Sequence, residues 1–364
     1  MSASAGEGVA LRGMTWDHPR AYLALEAFEA TRTAPSVAWD RQSLADFEAH
    51  PIDELAQRYD FMIVDHPGLG AAVGAGALAA YEDVFDQSEL GRWVDGAIGA
   101  SGASYRIGGR TWALPIDAAA QVAVRRPEVP AVRRWEDALA TAAEHRATLC
   151  LAGPHAGLMV LAMCSDKPAG DPDQLLDPHA AEEAVDLLSA IFRAGTRDIL
   201  DPIGVHELLA SGEGATWCPL AYGYVSYADR LAWSDAPSWC GERPLSVLGG
   251  TGLALSARSL AGSAERNAVH AWVSAFLADE VQSDLVPRSG GQPATRVVWE
   301  SREPFYAETV ATLEAAWVRP RLPGWIALQD HLSELVREAI VEGRDAATAV
   351  ADVNHRYAAL RRDA

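Results

Sequence analysis

The chain has 364 residues, an apolar share of 49% and a formal net charge of −20. That length exceeds what one hydrophobic core usually supports and predicts two lobes. The acidic balance, with no block dense in arginine or lysine, argues against nucleic acid or an anionic membrane surface as a partner.

Residues 9–16 read as a strand that ends in the polar cluster Asp17-His18-Pro19-Arg20. A helical pattern follows, with Tyr22, Leu25, Phe28 and Glu29 at helical spacing. Residues 36–39 read as a second strand, 53–58 as a helix and 61–64 as a third strand. This alternation predicts a parallel or mixed sheet covered by helices. The third strand, Phe-Met-Ile-Val, runs straight into Asp65 and His66 before Pro67, Gly68 and Gly70 break the chain. In open α/β sheets, ligands bind outside the carboxyl ends of the strands. Asp65 and His66 are therefore candidate ligand contacts or an acid–base pair. The structural alternative makes Asp65 a cap and packs His66 against Pro67.

Residues 105–115 predict a hairpin turning at Gly108-Gly109. A further strand is expected at 121–124, a helix at 135–145 and a strand at 148–151. Gly153-Pro154-His155 opens an apolar helix over 156–163, and 165–179 is a turn-rich loop. A strongly amphipathic helix covers 180–194. The aromatic run 216–227 is strand-like, which would put Tyr222 and Tyr224 on one face. Residues 248–255, LGGTGLAL, read as a glycine loop within an apolar run. Helices are expected over 264–285, 305–317, 328–342 and 346–360.

Several clusters could carry chemistry. Trp16, His18 and Arg20 follow the first strand and could meet a ring or an anionic group. The alternative is a helix start capped by Asp17, with Arg20 solvated. Asp117 follows Leu114-Pro115-Ile116, which suits a cleft floor, and Gln121 lies four residues on as a further candidate ligand contact. The alternative for Asp117 is a structural salt bridge. His155 stands at a helix N-terminus, where free N–H groups attract anions. Tyr222 and Tyr224 could stack on a ligand or donate to it. Gly250 and Thr251 lack the spacing of a nucleotide loop but could form a small anion nest. Gln292 sits in a late Gly-Gly-Gln-Pro turn. No metal-ligand spacing and no cofactor motif is visible.

Cys150, Cys164, Cys218 and Cys240 form no C-x-x-C pair. Free thiols are the simplest reading, with a Cys218–Cys240 bridge only if the fold brings them together. No run is apolar and long enough to span a membrane. The first residues lack a basic region followed by a long apolar run, so they do not read as a signal peptide. A cytoplasmic location is expected if Met1 is the native start, and an extracytoplasmic one if the sequence was trimmed.

The order of these pieces resembles the extracellular solute-binding proteins of ABC importers, family 1, with the type 2 periplasmic-binding fold. The resemblance covers almost the whole chain. It rests on YDFMIVDHPGLG followed by GALAAYED, on GGRTWALPIDAAAQVAV, on LGGTGLALSARS, on SGGQPATR and on WVRPRLPGWIALQDHL. It implies an α/β two-lobed clamshell with a ligand cleft between the lobes. The first lobe would hold residues 1–118 and 247–299, the second 119–246 and 300–364. It also implies a small polar ligand, carbohydrate or carboxylate, and an importer permease as partner if the protein is exported. In the carbohydrate version Trp16 and a tyrosine stack on the sugar while Asp65, Asp117 and Gln292 bond its hydroxyls. Two other functions stay open. One is a cofactor-independent enzyme with Asp117 or His66 as base and His18 or Tyr224 as acid. The other is a sensor whose ligand-bound form recruits a protein.

Overall fold

The computed structural model describes residues 10–32, 34–166, 169–239 and 243–363. The chain divides into two compact units. Unit 1 comprises Met1–Ala97, Ser101–Asp117 and Thr251–Val297; unit 2 comprises Ile98–Ala100, Ala118–Gly250 and Val298–Ala364.

In unit 1, strands β1 (Ala10–Trp16), β2 (Ser36–Gln42) and β3 (Phe61–Val64) run parallel in the order β2-β1-β3. A short strand β4 (Leu78–Ala79) follows. The predicted hairpin is present as β5 (Arg106–Ile107) and β6 (Arg110–Thr111). Gly108 and Gly109 both have positive φ, 60° and 79°, which a two-residue hairpin turn demands. The expected strand at 121–124 is one end of a 13-residue strand, β7 (Ala113–Arg125). Its first five residues belong to unit 1 and the rest to unit 2.

Unit 2 carries β8 (Trp217–Tyr222) and β9 (Ala232–Ser234), both antiparallel to β7. The last strand, β10 (Leu248–Ser256), passes from unit 2 into unit 1 before Thr251. In unit 1 it runs antiparallel to β3 and β4. The sheet is therefore mixed, as the alternation predicts.

Each unit has its own core. Phe28, Trp39, Phe61, Trp272 and Phe276 form an aromatic cluster in unit 1, with Trp272 and Phe276 stacked at 5.0 Å. The Trp272 indole donates to Glu29 at 2.6 Å, so the buried N–H is satisfied. In unit 2 the helix His155–Met163 is buried along its whole length. It lies against the helix Trp325–Glu342, where Gly157 N donates to Ser333 Oγ at 3.0 Å. A Cβ at Gly157 would sit 2.7 Å from that oxygen, so glycine permits the close approach.

Five expectations differ from the structure. The glycine run 248–255 is strand, not loop. The aromatic run keeps its strand only to Tyr222; Gly223 follows, and Tyr224 precedes a 3-10 turn at Val225–Tyr227. Residues 148–151 form no strand; Cys150 makes an isolated bridge to Leu200. The long helix ends at Phe276, and a π turn at Val281–Leu285 follows. The stretch 305–317 holds two short helices, Pro304–Ala307 and Val310–Ala315.

Cys150, Cys164 and Cys218 are buried. Burial pushes the Cys218 thiol up to about 12, so it stays protonated and inert. Cys240 lies outside the described residues, and with it the question of a Cys218–Cys240 bridge. Among the described residues, no helix is long and apolar enough to cross a membrane.

Candidate functional site

Unit 1 gathers most of its nominated residues at the carboxyl ends of its strands. The chain leaves β1 at Trp16 and enters the helix Pro19–Ala30 through His18. His18, not Asp17, is the N-cap: its Nδ1 accepts from Arg20 N at 3.2 Å. Pro19 fixes the first helical turn. Asp17 instead pairs with Arg41 at the surface. The His18 ring stacks on Trp16 at 5.1 Å, with an interplanar angle of 13°.

This entry turns Arg20 inward rather than into solvent. Its Nε donates to Asp117 Oδ2 at 2.8 Å, and its Nη2 donates to the other carboxylate oxygen. The two side chains are only 3% and 12% exposed, so the pair is buried and bidentate. Burial pushes the Asp117 carboxyl above its usual range, Arg20 holds it down, and the negative charge of Asp65 pushes it up again.

Trp16, Arg20, Asp117, Thr251 and Gln292 line one pocket, which encloses about 350 Å³ including its solvent-open part. Its remaining walls are apolar, among them Ile63, Ile116 and Phe276. A second cavity in unit 1, about 820 Å³, is lined by Arg92, Trp93, Asp279 and Thr295. It is larger, but none of the sequence-nominated residues lines it.

Asp65 and His66 part company. Asp65 caps the turn at His66–Gly68, accepting from His66 N at 2.8 Å, and keeps 27% of its side chain exposed. His66 is fully buried. Its Nδ1 lies 3.1 Å from Asp65 Oδ1, and its ring meets Tyr105 edge-on at 6.2 Å. Of the two, only Asp65 is open to a solute.

Unit 2 brings Gln121, Tyr222 and His155 together. Gln121 faces Tyr222 across the β7–β8 ladder, and the His155 ring meets Tyr222 edge-on at 5.9 Å. Burial drives His155 down to about 3, with Arg319 adding to the drop, so the ring is neutral at pH 7. Tyr224 lies apart, against the buried His206 at 5.2 Å, in a group with Tyr227 and Trp233. Gly250 is a strand residue with φ 93°.

Sequence reasoning passed over Arg319 and His206. Arg319 is 3% exposed; it donates to Gln329 Oε1 at 3.1 Å and to the Leu248 carbonyl at 3.3 Å. An arginine between Val318 and Pro320, in an apolar stretch, was the available signal. His206 shares a helix face with Val205 and Leu209, where periodicity marks a buried position.

Close packing holds these rings. A Cβ at Gly249 would lie 2.5 Å from Cε1 of Tyr222. Gly249→Ala is therefore expected to cost about 1–3 kcal/mol through overpacking. Gly74→Ala, whose Cβ meets nothing within 4 Å, serves as the control. Urea unfolding of both checks this; a Gly249→Ala protein as stable as the parent would show that Tyr222 yields freely.

The described residues contain no group of three His, Cys, Asp or Glu side chains able to hold a metal ion. No family model matches the sequence, and no curated protein sequence matches it. Solved structures do. The chain is similar to an ABC transporter solute-binding protein from Agrobacterium radiobacter K84 in complex with ribitol, with TM-score 0.80 and 17% identity over 97% of this chain and 99% of that one. It is also similar to maltose-bound MalE3 of T. maritima, TM-score 0.77 and 15% identity over 96% and 99% of the two chains. The Thermus thermophilus maltotriose-binding protein gives TM-score 0.76 at 15% identity, over 96% and 99%. The chain thus has the α/β fold of these solute-binding protein structures.

Proposed function

We propose that the protein binds a small, polar, uncharged organic molecule, a carbohydrate or polyol, in the manner of family 1 solute-binding proteins. The observation that carries this reading is the Arg20–Asp117 pair. Arginine is the usual grip on a carboxylate, and here its two-pronged face is already taken by Asp117. With Asp65 beside them, Arg20 and Asp117 sum to a net negative charge, which repels an anion. What unit 1 offers a solute is carboxylate oxygen at Asp65, the polar Thr251 and Gln292, and the Trp16 ring. Those groups suit hydroxyls and the apolar face of a sugar. The structural neighbours include proteins bound to ribitol, maltose and maltotriose, which supports the same class.

In this reading the nominated acid–base residues serve structure and recognition: Asp117 is paired, His66 is buried and His18 caps a helix. An ABC importer permease is the partner of an exported form.

Thermal-shift screening against sugars, polyols, amino acids and organic acids tests the proposal, with mass spectrometry of each hit after incubation. A neutral polyhydroxylated compound should raise the melting temperature, as binding to the native state requires, and remain intact. Stabilisation by organic acids alone, or consumption of the hit, would overturn it.

A further inference from the structure

We infer that the side-chain amide of Gln121 is a recognition group for a ligand hydroxyl, and that unit 2 through it favours neutral polyols over carboxylates. The inference rests on the binding reading above and assigns the contact that sets ligand class.

Gln121 sits in the middle of β7, directly opposite Tyr222 in the antiparallel register. Its backbone carbonyl is employed there: it accepts from Ser246 Oγ at 2.7 Å. Its side chain is not. The residue is completely buried, yet neither Nε2 nor Oε1 has a hydrogen-bond partner among the described residues. Buried polar side-chain atoms in native proteins are paired in the large majority, so an amide with both ends open calls for an explanation. Folding alone gives none, since leucine or methionine would fill the same volume without desolvating a donor and an acceptor.

The two open ends define what can meet them. Nε2 needs an acceptor, and Oε1 needs a donor. A carboxylate only accepts and would leave Oε1 facing a second acceptor. An ammonium only donates. A hydroxyl does both, and a polyol carries several along one chain. The neighbours agree. His155, the other nominated group beside Tyr222, is neutral at pH 7. The Tyr222 ring lies close over Gly249, in the space that a Cβ there would take.

Calorimetric titration with ribitol, maltose, maltotriose and gluconate, on the parent, Gln121→Leu and Gln121→Glu, tests the inference. The parent should bind at least one of the three neutral probes and bind gluconate more weakly. Gln121→Leu should bind that probe about ten-fold more weakly or worse. Its melting temperature without ligand should hold or rise, because an open buried amide has been removed. Loss of affinity with stability kept separates recognition from support of the fold. Gln121→Glu keeps an acceptor and loses the donor, and should fall between the other two. A Gln121→Leu protein that binds as tightly as the parent would overturn the assignment and leave the amide to buried water. A parent that prefers gluconate would overturn the selectivity. A parent that binds none of the probes would overturn the binding reading itself, and the assignment with it.

Discussion

Arg20→Met should lower the unfolding free energy by about 3–5 kcal/mol. The guanidinium is 3% exposed and its partner Asp117 12% exposed. Removing Arg20 leaves a carboxylate in a place with little water and a second negative charge, Asp65, acting on it. Among the described residues, Arg20 is the cation that acts on Asp117, so without it the carboxyl must take up a proton or the pocket must open. The double variant Arg20→Met/Asp117→Leu separates the charge from the packing. A buried pair replaced by apolar groups of similar size is often neutral or stabilising. The double variant should therefore recover most of the loss. Urea unfolding at pH 7 measures all three proteins. An Arg20→Met protein within about 1 kcal/mol of the parent would mean that the pair is solvated, in the range of surface ion pairs.

A second large effect comes from pH. Stability should fall by about 3 kcal/mol between pH 7 and pH 4 through His155 alone. An unfolded chain protonates its histidine near pH 6.5, whereas folded His155 stays neutral until about 3. Across that window the unfolded state holds the extra proton, so its share of stability is complete above pH 6.5 and is lost as the pH falls. Asp117 acts with the opposite sign. Its folded carboxyl is raised, so its share is present at low pH and disappears as the pH rises through the raised value. His155→Phe keeps a ring against Tyr222 and removes the titration. Unfolding free energies at pH 7, 6, 5 and 4 should decline less steeply for this variant, by about 1.4 kcal/mol per pH unit at most. Parallel profiles for the two proteins would show that folded His155 takes up its proton over the same pH range as the unfolded chain.

Much of the backbone was legible from residue pattern. The apolar run Phe61–Val64 is β3 without a residue's difference, and Gly108-Gly109 turns the hairpin. Glycine misled where its reason was distant. Gly249 and Gly252 sit in a strand because the rings of Tyr222 and Tyr105 lie where their side chains would be. A local reading sees only glycines and infers a loop. The aromatic run failed differently: alternation continued in the sequence after Gly223 had ended the strand. At the site, Trp16 and Arg20 after the first strand, Asp117 after Leu-Pro-Ile, Thr251 in the glycine run and Gln292 in a late turn were all nominated, and they share one pocket. What they did to each other was not legible. Arg20 and Asp117 are 97 residues apart, and only the fold turns a candidate anion grip into a closed ion pair. His66 likewise reads as a strand-end base until its burial is known.

The most direct measurement is a crystal structure of the protein with the neutral polyol or sugar that stabilises it most. The account predicts a ligand seated against Trp16 with hydroxyls within hydrogen-bond reach of Asp65 or Gln292, and with Arg20 still paired to Asp117. A ligand carboxylate gripped by Arg20, or a ligand lodged instead in the larger cavity beside Arg92 and Asp279, would contradict it.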